Sequence, residues 1–241
     1  MQRAGARRAL RVPGILATAL LATACASPSP GLVYATGQGA TTEDGLRRLR
    51  WSRLGAEFVR PGAEFAGYQR VLVGPLTISE RAEGARGDRR PGPGKQYLPT
   101  PRYLDMMEKI YRDTFARTFA SGGFEVVAEP APGVLQISAH VVDLVLTARL
   151  DPEQDVTLEE FVRTFGDVTV LLDVRDAESG DALLRTLDRQ AISQNALTGA
   201  YRNTTGANIS AQRDVFGRQA LLLRDEIEKF RRMGAVPPPP R

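Results

Sequence analysis

One amphipathic helix near the C-terminal end constrains the fold of this chain more than any other feature. Its apolar residues recur in steps of four and three, a pattern that favours a helix with a single buried face. These residues are Phe216, Ala220, Leu223, Ile227 and Phe230. We therefore predict a helix over residues 209–233 that covers a second layer of structure.

A second helix is predicted over residues 100–121, where apolar residues again recur at three- and four-residue steps. They are Leu104, Met107, Ile110, Tyr111, Phe115 and Phe119. Gly122 and Gly123 follow directly and are typical of a helix C-terminus. Methionine and aromatic side chains at this spacing indicate a buried core rather than a cofactor site.

The other apolar segments alternate with a two-residue period, which predicts strands. We predict five strands, over residues 69–78, 124–128, 134–146, 167–176 and 182–193. The polar residues 178–181 have the composition of a hairpin turn. Pro75 interrupts the first strand, and the alternation changes phase near Val142, so both strands are expected to contain bulges.

The order of these elements, β-α-β-β-β-β-α, limits the possible architectures. The first helix has to cross over between strands, whereas the later strands can pair as hairpins. The expected sheet is mixed but mostly antiparallel, with two helices on one face. This fold class is α/β, with the architecture of a two-layer sandwich.

The predicted elements form a single domain over residues 46–233. Residues 25–45 are rich in Ser, Pro, Gly and Thr, which predicts a flexible tether before the domain. Residues 79–97 hold almost no core-forming side chain and are expected to form a mobile loop. Residues 234–241 are expected to form a Pro-rich tail.

Two segments within the domain lack a clear period. Residues 149–166 are acidic and are expected to form a connection with a short helical turn. Residues 46–68 are expected to form an irregular strap, with Trp51 and Leu54 packed on the sheet and the arginines extended into solvent. The alternative is that this basic, aromatic segment lies against anionic lipid headgroups.

The first 24 residues have the features of a bacterial export signal. Residues 1–11 are basic without an acidic side chain, and residues 12–24 are apolar and end in small residues. This apolar run is shorter than the roughly 20 residues that cross a bilayer as a helix. We predict a signal peptide over residues 1–24.

Cys25 is the only cysteine of the chain and follows the sequence Leu-Ala-Thr-Ala. Small residues that lead to a cysteine resemble the bacterial lipobox, in which the thiol receives a diacylglyceryl group and the cysteine becomes the mature N-terminus. The alternative is an ordinary secreted protein, because Ala22-Thr23-Ala24 is also an A-x-A cleavage site. With one cysteine an internal disulfide is excluded. We predict lipidation at Cys25, with acyl chains such as palmitate.

Acylation at Cys25 predicts where the mature protein lies. Two or three acyl chains hold a protein on a membrane far more firmly than one. The next residue is Ala26, not the aspartate that resembles the inner-membrane retention signal of Gram-negative lipoproteins. The expected location is the outer membrane, with the domain facing the periplasm.

The net charge of +4 comes entirely from the predicted signal peptide, which contains Arg3, Arg7, Arg8 and Arg11. The rest of the chain has 28 of the 32 basic residues and all 28 acidic ones. A neutral mature chain gives no support for a nucleic-acid partner.

The residue patterns predict no catalytic, cofactor-binding or metal-binding residues. His140 is the only histidine, and its place between core positions of a strand predicts a solvated sheet-face side chain. Asp143 would lie on the opposite face of a regular strand, so a Ser-His-Asp triad has no local support. The acidic cluster within residues 151–160 lacks the spacing of a calcium loop and is expected to be solvated.

Three stretches within residues 49–190 combine packing patterns and turns without a catalytic signature. They are LRWSRL followed by FVRPGAEFAGYQRVLVGPL, GGFEVVAEPAPGVLQISAHVVDL, and FGDVTVLLDVRDAESGDALLRTLDRQ. They resemble the proteobacterial lipoprotein family that carries domain of unknown function 3313. The chain differs from the usual pattern in its Arg/Gly/Pro-rich loop at 80–96 and its charged connection at 151–164. The resemblance implies a lipoprotein and supplies no catalytic residues.

Together these features predict a non-catalytic lipoprotein of the outer membrane that binds an envelope protein or a cell-wall component. One alternative is a subunit of an oligomeric export or assembly complex, in which long strands or the 79–97 loop pair between copies. The other alternative is a hydrolase-type enzyme that uses His140 or the acidic cluster.

Overall fold

The computed structural model of the chain describes residues 32–79, 97–148, 159–193 and 199–240. The helices in these ranges are α1 (Pro101–Ser121) and α2 (Thr205–Met233). The strands are β1 (Arg47–Arg48), β2 (Ala56–Val59), β3 (Arg70–Ile78), β4 (Glu125–Val127), β5 (Val134–Leu146), β6 (Phe161–Val162), β7 (Gly166–Asp176), β8 (Ala182–Ile192) and β9 (Tyr201–Arg202).

Seven of these strands form one sheet in the order β1-β2-β8-β7-β5-β3-β4. β3 is parallel to both of its neighbours, β4 and β5, and the other neighbouring pairs are antiparallel. The parallel pairing follows from the crossover through α1, whereas a tight turn joins β7 to β8. The prediction of a mixed, mostly antiparallel sheet is confirmed.

α1 and α2 lie on one face of this sheet and pack against each other. α1 covers β3 and β4, and α2 covers β8. The rings of Tyr111 on α1 and Phe216 on α2 meet with their centroids 5.8 Å apart. The predicted α/β two-layer sandwich is confirmed.

Both helices begin at a threonine that caps the first turn. The side chain of Thr100 accepts a hydrogen bond from the backbone N–H of Tyr103 at 3.3 Å. The side chain of Thr204 accepts one from the N–H of Ala207 at 3.0 Å. This second cap explains why α2 begins one turn before the predicted residue 209, because it satisfies a backbone donor in a turn without apolar periodicity.

Both predicted bulges are present. The pairing of β3 with β5 shifts register between Val73 and Leu76, so Pro75 lies where the ladder needs no backbone donor. The pairing of β5 with β7 shifts register between Val141 and Asp143.

Residues 46–68 are more regular than the predicted irregular strap. β1 and β2 extend the sheet beyond β8, and β2 pairs antiparallel with residues 184–187. The charged Glu57 occupies an inward-facing, fully buried position of β2. A periodicity argument therefore misses this strand, because four residues with a carboxylate inside show no apolar alternation.

Part of the predicted flexible tether packs on the domain. Tyr34 is buried and bridges to Leu49. Its hydroxyl donates a 2.5 Å hydrogen bond to the carbonyl of Pro237. Residues 32–45 therefore belong to the domain, and the tether prediction now applies only to residues 25–31, which lie outside the described residues.

The predicted Pro-rich tail is also docked where it begins. Val236 is buried, its N–H donates to the carbonyl of Ala63, and its carbonyl accepts from the N–H of Gly62. A single valine before four prolines thus fixes the start of the tail on the turn between β2 and β3.

Several other predictions lie outside the described residues. They concern the signal peptide, Cys25, almost all of the 79–97 loop, and residues 149–158 of the acidic connection. The described part of that connection contains β6, paired antiparallel with β9, instead of a helical turn. Neither α1 nor α2 contains the long apolar stretch that crossing a bilayer requires.

Candidate functional site

An open groove of about 910 Å³ lies between α2, the end of β8 and the turn before β2. Four arginines line it: Arg53, Arg189, Arg213 and Arg218. Asp214 and Asp225 also contribute to the walls. Four positive and two negative side chains give the groove a net positive charge.

Two of the four guanidinium groups face a carboxylate. Arg53 lies 3.8 Å from Asp225, and Arg189 lies 3.6 Å from Asp167. Arg213 and Arg218 make no ion pair with another described residue. Guanidinium groups bind carboxylate and phosphate through paired N–H donors. The groove therefore suits a ligand that carries acidic groups.

A glycine fixes the turn that presents Arg53 to the groove. Gly55 has a φ angle of +67°, and a Cβ there would lie 2.6 Å from the carbonyl oxygen of Leu187. The preceding Leu54 is fully buried. Only glycine combines this backbone angle with so close an approach to β8, so the position of the turn at the groove rim depends on Gly55.

Trp51 extends from the same turn into solvent. Its side chain is 72% exposed, and the guanidinium of Arg50 lies 5.2 Å from its ring centroid. The prediction that Leu54 packs on the sheet is confirmed, whereas the same prediction for Trp51 is wrong. Leu54 directly precedes Gly55, which bridges to Leu187 on β8, but Trp51 lies three residues earlier, in the bend that follows β1.

The buried face of α2 carries polar side chains as well as apolar ones. Gln212, Gln219 and Glu226 recur every seven residues and are at most 8% exposed. Glu57 on β2 and Thr186 on β8 are paired across the sheet and are buried too. We call these five residues the polar seam. The seven-residue spacing on α2 is the sequence signal that could have predicted it.

Glu57 is the titratable centre of the polar seam. Burial raises the pKa of its carboxyl from 4.5 to about 7, and the negative charge of Glu226 adds to the rise. The hydroxyl of Ser52 and the positive charge of Lys229 act in the opposite direction. Lys229 donates a 2.6 Å hydrogen bond to Glu226. Glu226 therefore has a cationic partner of its own, and Glu57 is the group that holds a proton near neutral pH.

His140 lies where the sequence predicted it, on the sheet face opposite the helices. It is partly exposed, and its Nδ1 lies 2.5 Å from Oγ1 of Thr77, its neighbour on β3. Asp143 follows the bulge, so the strand is not regular between it and His140. Neither residue lines the groove.

The two described members of the acidic cluster interact with the segment that leads into α2. Glu159 pairs with Arg202 at 3.0 Å, and Glu160 accepts a 2.7 Å hydrogen bond from Asn203. Asp151, Glu153 and Asp155 lie outside the described residues. Among the described residues, no three His, Cys, Asp or Glu side chains are grouped as metal ligands would be.

Residues 38–210 match the model of a family described as "Protein of unknown function (DUF3313)". The chain belongs to this family. The match confirms the resemblance found at residues 49–190 and includes β1 to β9, α1 and the first turn of α2. The DUF3313 description names no activity, and no curated protein matches this member.

Several solved structures show a partial similarity to this chain. The PelC dodecamer from Paraburkholderia phytofirmans is 17% identical, with 69% of this chain and 97% of that chain covered and a TM-score of 0.33. A putative lipoprotein from Caulobacter crescentus CB15 is 14% identical, with 53% and 82% covered and a TM-score of 0.27. A minor lipoprotein from Acinetobacter baumannii is 10% identical, with 71% and 98% covered and a TM-score of 0.27. At these values, none supports an inference about this chain.

Proposed function

We propose that this member of the DUF3313 family is a lipoprotein acylated at Cys25 and anchored in the outer membrane, with its domain facing the periplasm. The observation that carries the proposal is the sequence Leu-Ala-Thr-Ala that leads to Cys25. Only a short chain then separates Cys25 from the domain. The carbonyl of Val33 accepts a 2.8 Å hydrogen bond from the N–H of Arg50. Eight extended residues span at most about 28 Å, so an acyl anchor at Cys25 holds this end of the domain near the lipid.

The residues before the domain support the same proposal. A basic segment and a short apolar run lead through small residues to Cys25. Ala26 is not the aspartate of the inner-membrane retention signal. Two or three acyl chains on Cys25 make the attachment effectively permanent.

Within this proposal the domain is a binding module and not an enzyme. The arginine-lined groove is its contact surface, and Arg213 and Arg218 supply the charge that faces a ligand. An envelope protein or a cell-wall component with acidic groups is the partner that this surface fits.

Membrane fractionation in the native host tests the location with three forms of the chain. Wild type should be recovered with the outer membrane. Cys25→Ser should appear in the periplasmic fraction, because it has no acyl chain. Ala26→Asp should remain acylated but move to the inner membrane. A wild-type chain that fractionates like Cys25→Ser would contradict the anchor.

Site-specific photo-crosslinking in intact cells tests the groove. A crosslinking side chain at position 221, where Leu221 lines the groove and is 46% exposed, should capture a defined envelope component, and Arg213→Glu should abolish the capture. The matched control is the same side chain at position 102, an exposed arginine on α1. Identical products from both positions, or none from position 221, would argue against a binding groove.

A further inference from the structure

We propose that Trp51, Val33, Arg48 and Arg50 form a membrane-contact surface that seats the domain on anionic lipid headgroups. The inference rests on the proposed anchor at Cys25 and adds an orientation to it. In that orientation the β1 edge of the sheet faces the bilayer and the β4 edge faces away from it.

The two apolar members of the membrane-contact surface are unusually exposed. Trp51 is 72% exposed and Val33 is 47% exposed. Tryptophan side chains are largely buried on average, so a highly exposed tryptophan needs an explanation. Its apolar ring and single N–H donor suit the boundary between headgroups and acyl chains, where tryptophan is enriched.

The charged members add attraction to anionic lipid. Arg48 and Arg50 are exposed, and neither makes an ion pair with another described residue. The guanidinium of Arg50 lies over the Trp51 ring, so both groups point to the same region. Basic side chains close to a membrane are drawn to its negative surface.

The acidic residues in this part of the chain leave the surface positive. Residues 32–56 contain four arginines and two acids, Glu43 and Asp44. Asp44 is paired with Arg185 at 2.8 Å, so its charge is already offset by an arginine outside the surface. Glu43 alone does not offset the arginines of the surface.

The position of the surface favours lipid over a second protein as its occupant. The N–H of Arg50 donates to Val33, and the N–H of Ala35 donates to Arg48, so the surface surrounds the point where the chain enters the domain. Trp51 therefore lies within about 40 Å of Cys25, whatever path residues 26–31 take. An anchor on so short a segment keeps the surface at a high effective concentration beside the headgroups.

The fluorescence of Trp51 gives a direct test, because it is the only tryptophan in the chain. The acylated mature protein is placed in vesicles of phosphatidylethanolamine and phosphatidylglycerol and compared with Cys25→Ser in buffer. We expect a blue shift of the emission maximum and quenching by lipids brominated in the upper acyl chain. Both effects should weaken as salt is raised, since the attraction of the arginines is screened.

Charge reversal provides the first pair of variants. Arg48→Glu combined with Arg50→Glu should abolish the blue shift while the protein still floats with the vesicles. Arg102→Glu combined with Arg117→Glu, on the exposed side of α1, should leave the shift unchanged. Circular dichroism confirms that each variant is folded, and the salt titration of wild type tests the same charges without mutation.

Moving the single tryptophan to another strand provides the second control. Trp51→Phe combined with Val126→Trp places the fluorophore on β4, at the opposite edge of the sheet, where Val126 is 39% exposed. This reporter should keep the emission that it has in buffer and should not be quenched by brominated lipid. Equal lipid contact at positions 51 and 126 would overturn the proposed orientation.

Two negative results have different meanings. If the acylated wild type floats with vesicles but Trp51 remains accessible to acrylamide, the membrane-contact surface is wrong and the anchor stands. If the native protein carries no acyl chain, the proposed function fails and the inference fails with it.

Discussion

α1 and α2 cover neighbouring halves of the same sheet face, but their buried faces differ in chemistry. α1 buries a row of aromatic rings, in which the centroids of Tyr111, Phe115 and Phe119 are 4.6 and 6.3 Å apart in succession. α2 buries apolar residues beside the polar seam. The α1 half is therefore stabilised mainly by apolar burial, whereas the stability of the α2 half also depends on protonation.

The same difference coincides with the placement of the candidate surfaces. α2 lines the arginine groove, and the turn that carries Trp51 leads into β2, which holds Glu57. The α1 half contributes no residue to that groove. The α2 half, which has the more polar buried face, is thus the one that carries the proposed contact surfaces.

The largest expected effect is in the aromatic half. Phe115 is fully buried, so Phe115→Ala should lower the free energy of unfolding by about 3–5 kcal/mol. Because no titratable group of the polar seam is involved, the loss should be equal at acidic and neutral pH. Urea unfolding at two pH values measures it, with Leu98→Ala as the control, since Leu98 is 88% exposed. A strongly pH-dependent loss would remove the distinction between the halves.

The next effect concerns Glu57. Its pKa is about 7 in the folded protein against 4.5 in the unfolded chain, so the folded state holds the proton more tightly. Its contribution to stability is therefore complete below pH 4.5 and is lost as pH rises to about 7. This difference in pKa corresponds to about 3 kcal/mol in the free energy of unfolding. Glu57→Gln should remove this dependence and be more stable than wild type at pH 8.

The control for Glu57→Gln is the same change at the exposed Glu64, which should leave the pH profile of unfolding unaltered. A wild-type profile that stays flat across this interval would show that Glu57 does not govern the α2 half.

Gln219 is expected to have a smaller effect of opposite sign. It is fully buried, and neither polar atom of its amide has a hydrogen-bond partner among the described residues. An unsatisfied buried amide costs stability, so Gln219→Leu should raise the free energy of unfolding by about 1 kcal/mol. Gln219→Ala is the comparison, since it removes the amide but leaves a cavity. A destabilised Gln219→Leu would contradict the prediction that the amide is unsatisfied.

The smallest effect is expected at the groove rim. The Arg53–Asp225 pair spans 3.8 Å between exposed side chains, and such pairs contribute at most about 1 kcal/mol. A double-mutant cycle with Arg53→Ala and Asp225→Ala should give a coupling energy near zero. A large coupling would make the rim a structural feature instead of a binding surface.

The contrast between the halves also explains what could be predicted from the sequence. α1, α2 and the long strands have clear apolar periods on either side of their bulges, so local patterns were sufficient for them. β2 was missed because Glu57 occupies its inward position. The polar seam was missed because the apolar stripe beside it was enough to predict the helix, so the polar residues of α2 were not considered. The docking of Tyr34 on Pro237 joins residues 203 positions apart, which no local pattern contains.

The surface residues were only partly predictable for a related reason. Aromatic side chains are usually buried, so Trp51 was assigned to the core with Leu54. The exposure of Trp51 depends on where the chain turns before Gly55, and that turn is set by its contact with β8 and not by the neighbouring sequence.

Mass spectrometry of the N-terminal peptide of the native protein tests the central claim most directly. The account predicts that the mature chain begins at Cys25 and carries a diacylglyceryl group, with or without a further amide-linked acyl chain. An unmodified cysteine, or a chain that retains residues 1–24, would contradict it.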